Sequence, residues 1–169
     1  ASPYEAGIRT PILFSWPDKI KPADRGEVVS SIDIMPTILA ASGAEVPSDL
    51  PGLNLLENLE AGAPIEREMI FGENFAHSIA DLDDPEGSLT FRWVIAGKWK
   101  LLLTYDGEVH RYRNAHPRTQ RGPQLFDLAA DPHETRNVAS EHPAVVARLA
   151  QRIREWHPLR ERTTIDTLE

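Results

Sequence analysis

Not one of the 169 residues is a cysteine. Disulfide staples, thiolate zinc sites and cysteine nucleophiles are thereby excluded within the chain. Basic residues are also in deficit, with 18 Lys and Arg against 26 Asp and Glu and a formal net charge of −8. A general affinity for nucleic acid or for an anionic membrane has no electrostatic basis, and an anionic ligand needs a local basic patch. No apolar run approaches the ~18–20 residues of a membrane span, and Ala1-Ser2-Pro3-Tyr4-Glu5 has no feature of a signal peptide. The compartment stays open between periplasmic, secreted and cytoplasmic. The sequence starts without a Met, which fits the expectation of a beginning cut away. What remains is ordinary globular composition, 41% hydrophobic and 26% charged, enough for one substantial core.

The run Pro11-Ile12-Leu13-Phe14-Ser15-Trp16 is almost continuously apolar and closes at Pro17-Asp18. That is the pattern of a strand covered on both faces, as in an α/β sheet. A helix is predicted next, with Asp33 as N-cap, Pro36 at the third helical position, where a missing N–H costs no intrahelical bond, and Gly43 closing it. Its apolar residues Ile34, Met35, Ile38 and Leu39 share one face. Residues 44 to 64 are rich in Pro, Gly, Glu and Asn, with a short apolar stretch at Leu53 to Leu59, and read as a connecting segment.

Beyond it the hydrophobic period changes to two. Met69-Ile70-Phe71 is a short strand, and Phe91, Trp93 and Ile95 alternate with Arg92 and Val94. A tight turn at Ala96-Gly97 leads into Lys98 to Leu103, where Trp99, Leu101 and Leu103 share a face, giving an antiparallel hairpin. Gln124 to Leu128 is the last strand, followed by an Asp131-Pro132 turn and a helix opening at Pro143 with the stripe Val145, Leu149, Ile153 and Trp156. The expected fold class is α/β plus α+β: incomplete α/β material over 1–62, then a small antiparallel sheet packed on a C-terminal helix over 63–160, with 161–169 a polar tail.

Three segments, in order, resemble the formylglycine-dependent (type I) sulfatases of the alkaline-phosphatase-like superfamily. Tyr4-Glu5-Ala6-Gly7-Ile8-Arg9-Thr10-Pro11, with Trp16-Pro17-Asp18-Lys19-Ile20 after the apolar run, is similar to the family's tyrosine-glutamate-x-glycine-x-arginine-x-proline segment. Ser31-Ile32-Asp33-Ile34-Met35-Pro36-Thr37-Ile38-Leu39 resembles its aspartate-x-x-proline-threonine helix. Leu125-Phe126-Asp127-Leu128 through Asp131-Pro132-His133-Glu134-Thr135-Arg136-Asn137 resembles the strand and turn before the last family helix, and Gly97-Lys98-Trp99-Lys100-Leu101 the hairpin strand. Each piece alone is weak; their order across residues 4 to 156 makes the match specific.

The resemblance implies that residues 1–62 are the C-terminal end of an alkaline-phosphatase-like α/β domain. It also implies a parent enzyme with a formylglycine made within a Cys/Ser-x-Pro-x-Arg motif, whose hydrated aldehyde attacks a sulfate ester beside a divalent cation, commonly calcium. No residue here matches that machinery, so the fragment alone is expected to be inactive, with no catalytic residue, metal or cofactor of its own. Ser15-Trp16-Pro17-Asp18-Lys19 imitates the motif, but Lys19 lacks the bidentate fork of Arg, and Ser15 is rejected as a nucleophile. The family lysine that helps bind sulfate precedes the segment matched by Tyr4-Glu5, outside this chain. Arg9 lies next to that region, with contact to the active-site layer as one reading and an ion pair that holds the loop as the favoured one.

Asp81-Leu82-Asp83-Asp84 lacks the spacing of a calcium loop and is followed by Pro85, so it reads as a solvated acidic loop. Glu5 and Glu73 are an acid–base pair on paper only, with no separation fixed by the sequence. The candidates for substrate contact are His77, just past a strand end, and Arg111 and Arg113 in a run from His110 to Arg121 without an acidic residue. The bland alternatives are a surface His bonded to Asp81 and a solvated or partner-contacting insertion. The partners implied are the N-terminal remainder of the enzyme and a sulfated small molecule or glycan, with no nucleic acid and no membrane. Two other readings compete with a sulfatase: a phosphonate or phosphate ester hydrolase of the same superfamily, and a stand-alone non-catalytic binding module.

Overall fold

The computed structural model describes residues 2–75, 82–105 and 122–159. The chain forms two compact units: Thr10–Ile70, and a discontinuous one of Ala1–Arg9 with Phe71–Glu169.

The discontinuous unit is built on a four-stranded sheet of order β1-β2-β3-β4, from β1 (Ile70–Phe75), β2 (Leu89–Ala96), β3 (Trp99–Thr104) and β4 (Gln124–Asp127). The expected hairpin is present, with Gly97-Lys98 as its turn and the register Phe91↔Thr104, Trp93↔Leu102, Ile95↔Lys100. β4 adds antiparallel to β3, pairing Leu101 with Leu125 and Lys100 with Phe126. This period-2 register puts Val94, Leu101, Leu103 and Leu125 on one face, where they meet α4 (Pro143–Trp156). Pro143 stands at the start of that helix, as its fixed φ predicts.

Leu101, Leu102, Leu125, Leu149 and Ile153 are fully buried. At ~1.5–3 kcal/mol for each such side chain, they make this the stable core of the unit. The buried stripe of α4 is Val146, Leu149, Ala150 and Ile153. It is rotated from the expected one, because Trp156 stays 44% exposed and its ring stacks on Phe71 at 5.1 Å instead of entering the core.

The Thr10–Ile70 unit contains two short helices, α2 (Ile34–Ala41) and α3 (Leu56–Ala61). α2 ends as expected: Gly43 takes a left-handed φ of 75°, and the Ala44 N–H bonds back to the Leu39 carbonyl. One expectation fails here and one holds in position only. The run Pro11 to Trp16 is not a strand, and Leu13 is 90% exposed, because no strand among the described residues lies beside it to share a ladder. Asp33 does stand at the N-cap position of α2, but its side chain makes no capping bond to that helix; it ends a 3-10 turn (Ser31–Asp33) and its carboxylate turns to the Ser30 N–H instead.

Candidate functional site

The functional-looking groups of the described chain are buried charges. β3 turns Trp99, Leu101 and Leu103 toward α4, so Lys100 emerges on the opposite face, where its side chain is fully buried. An unpaired ammonium there costs several kcal/mol, about enough to forbid it. Two carboxylates offset that cost. Lys100 Nζ donates to Glu5 Oε1 at 3.0 Å and lies 2.8 Å from Glu134 Oε1, the latter an ion pair rather than an aligned hydrogen bond. The Trp93 ring lies 5.8 Å from the same ammonium. Glu134 Oε2 in turn accepts the backbone N–H of Glu5 at 2.5 Å. Beside this cluster the Tyr4 hydroxyl donates to Gln124 Oε1 at 2.8 Å, and the Tyr4 ring meets Phe126 edge-on. The one-turn helix α1 (Glu5–Ile8) is thus held against the sheet face that α4 leaves free.

A second cluster lies on the α4 side. Arg92 on β2 is 1% exposed, and its Nη2 donates to the carbonyls of Ile153 at 3.0 Å and His157 at 2.5 Å. Both carbonyls stand at the C-terminal end of α4, where a cation is favoured, and that of Ile153 also accepts the His157 N–H. Arg92 Nε lies 3.7 Å from Glu73 Oε2, which also contacts His157 Nδ1 at 3.2 Å. The guanidinium stands 5.5 Å from the centroid of the Trp156 ring.

The Thr10–Ile70 unit has its own hub at Asp33, which is 0% exposed. Its Oδ2 accepts the Ser30 N–H at 2.7 Å, and its Oδ1 accepts the Leu53 N–H at 2.8 Å and Arg67 Nη2 at 2.5 Å. Next to Leu53, a Cβ on Gly52 would lie 2.1 Å from the Ile32 carbonyl oxygen, so only glycine allows this approach. At the other side, Arg25 binds Glu27 and the carbonyls of Asn58 and Ala63, tying residues 25–27 to the segment after α3. The hydrogen bond from Arg25 lowers the Glu27 carboxyl to about 2.

Each site residue expected from the sequence has a definite outcome. Glu5 belongs to the Lys100 cluster on one sheet face and Glu73 to the Arg92 cluster on the other, so the sheet itself separates them and they form no acid–base pair. Ser15 is exposed and makes no hydrogen bond among the described residues; it lines a shallow open concavity with Phe14, Trp16 and Asp18. Arg9 is exposed and enters no ion pair among the described residues. An ion pair at this loop is made by Glu5 with Lys100. Asp83 and Asp84 are exposed, while Asp81, His77, Arg111 and Arg113 lie outside the described residues. The described residues bring no three His, Asp or Glu together as ligands for a divalent cation.

Lys100, Arg92 and Glu134 were not singled out by sequence reasoning. A faint signal exists for two of them, since Arg92 and Lys100 are charges in the middle of otherwise apolar strands.

Comparison with known proteins gives a consistent outcome. The family model described as N-sulphoglucosamine sulphohydrolase, C-terminal, matches residues 2–158. Over 153 residues the chain is 32% identical to an N-acetylgalactosamine-6-O-sulfatase of Bacteroides thetaiotaomicron, covering 89% of this chain and 27% of that protein. It is 32% identical over 161 residues to arylsulfatase A of Homo sapiens, covering 88% of this chain and 30% of the relative. A solved chain described under metabolism of multiple glycosaminoglycans by Bacteroides thetaiotaomicron superposes with a TM-score of 0.60 at 29% identity, over 83% of this chain and 27% of that one. A putative sulfatase from Bacteroides fragilis superposes at 0.61 and 20% identity, over 84% and 28%, which shows the fold alone. The chain therefore spans about a quarter to a third of the length of the curated relatives it matches.

Proposed function

Because the chain belongs to the N-sulphoglucosamine sulphohydrolase C-terminal family, we propose that it is the carboxy-terminal part of an enzyme that hydrolyses sulfuric esters. The observation that carries this reading is the family match over residues 2–158, together with sulfatase relatives that align along nearly the whole chain. The nucleophile, a formylglycine, and the divalent cation belong to the remainder of the enzyme, which is the chain's first partner. By itself the chain turns over no substrate.

Its own work is support. The surface of the Thr10–Ile70 unit exposes Leu13, Ile34, Met35 and Ile38 at 90%, 36%, 60% and 58%. So much apolar area on one unit favours a covering partner, and in this reading the preceding α/β domain covers it. The substrate is a sulfated small molecule or glycan, and a relative named for a sulfated amino sugar supports the glycan form.

Substrate contact from this chain is assigned to His77 and to the cationic run containing Arg111, Arg113 and Arg118. In the complete protein, neutralising the three arginines should lower kcat/KM for a polyanionic sulfated glycan several-fold at low ionic strength and flatten its salt dependence, since exposed charges are screened beyond about 10 Å at 0.1 M salt. His77→Ala should lower kcat/KM at every salt concentration. Wild-type values for both variants would remove this chain from substrate recognition and leave it a scaffold.

A further inference from the structure

α1 is a single turn in which no residue is buried. One helical turn has no stability of its own, and here no side chain of the turn is fully buried. Besides the Tyr4 contacts with Phe126 and Gln124, its place is set by charge. Glu5 binds Lys100 through its side chain and Glu134 through its backbone N–H, and Lys100 contacts both carboxylates. The three groups come from sequence positions far apart, Glu5 and Lys100 being separated by 95 positions. They close the discontinuous unit within a few residues of Arg9, after which the chain leaves it for the Thr10–Ile70 unit. The cluster carries two carboxylates on one ammonium, so removing the cation leaves two like charges facing each other with little solvent.

We infer that Lys100 is a positioning residue: through Glu5 and Glu134 it fixes α1 on the sheet, and with α1 the course of the chain on the amino-terminal side of Tyr4. This rests on the reading that the catalytic groups lie in the remainder of the enzyme, because that is what gives the entry point consequence. A displacement of about 1 Å at a segment leading into a reaction centre is enough to cost up to ~100-fold in rate.

The test has two arms. In the 169-residue chain, amide exchange is followed at Gly7, Ile8 and Arg9, whose N–H groups bond to Tyr4 and Glu5 carbonyls, and at Leu101 to Leu103 in the β2–β3 ladder. Lys100→Met should speed exchange in α1 about tenfold more than in the ladder. A variant combining Lys100→Met, Glu5→Gln and Glu134→Gln removes the stranded charges; it should return the ladder to wild-type protection while α1 stays fast. Lys100→Arg should keep α1 protected. Wild-type exchange in α1 of the triple variant, or an equal rise in α1 and ladder in it, overturns the anchor. In the complete protein the triple variant should lower kcat about tenfold or more with Lys100→Arg near wild type; an unchanged kcat in the triple variant overturns the positioning role. A wild-type protein that releases no sulfate refutes the sulfatase reading instead, and the exchange arm is unaffected by that failure.

Discussion

Replacing Arg92 with leucine should lower the unfolding free energy of the sheet unit by ~3–5 kcal/mol, against a net stability of ~5–15 kcal/mol for an ordinary domain. The guanidinium is 1% exposed and holds two terminal carbonyls of α4, those of Ile153 and His157, while standing beside Glu73. Leucine keeps the apolar stem but removes the donor to both carbonyls and leaves the Glu73 carboxylate without its guanidinium, and a lost hydrogen bond to a charged group costs ~1.5–3 kcal/mol. Arg92→Lys should fall between the two, because a single ammonium cannot reproduce the planar fork. Urea denaturation followed by tryptophan fluorescence reads the effect as a lower midpoint. An unchanged midpoint for Arg92→Leu would mean that α4 is held by its apolar stripe alone.

The second large effect belongs to the other unit. Asp33→Ala should destabilise the Thr10–Ile70 unit by ~3–5 kcal/mol, because Arg67 then loses its carboxylate while the N–H groups of Ser30 and Leu53 lose their acceptor. Asp33→Asn keeps an acceptor and loses only the charge, so it should cost less. Limited proteolysis is the direct readout: cleavage should accelerate between residues 42 and 64 in the alanine variant, ahead of cleavage in β2 and β3. Equal proteolysis of Asp33→Ala and wild type would show that the buried carboxylate is not what holds residues 52–53 to α2.

These two residues also mark how far the sequence is legible. The hairpin of β2 and β3, the strand at Gln124 and the helix opening at Pro143 follow from local pattern. Period-2 alternation, a glycine turn and a proline at the first helical position act within a few residues of where they are read. The site-level facts are different in kind. Lys100 is buried because Glu5, 95 residues earlier, lies over it, and nothing near Lys100 announces that. Asp33 stands where a local cap is expected and holds the nearby Ser30 N–H, but its other partners, Leu53 and Arg67, come from distant segments. The run at Pro11 to Trp16 shows the opposite error. Its apolarity is read correctly, but a strand needs a neighbour with free hydrogen-bonding groups, and the described residues offer none. Ile34, Met35 and Ile38 were likewise placed on one face of α2, yet that face is exposed. Apolar pattern predicts that a surface is to be covered, without saying by which residues.

Family membership and the exposed apolar surface lead to the same account, in which this chain supports a sulfatase whose reactive groups lie elsewhere in the enzyme. Sulfate release from an aryl sulfate with calcium present tests that account most directly, measured on the 169-residue chain alone and on the complete protein that contains it. The account predicts turnover by the complete protein and only the buffer blank for the chain. Turnover by the chain alone that survives Ser15→Ala would contradict it, as would a correctly processed complete protein that releases no sulfate.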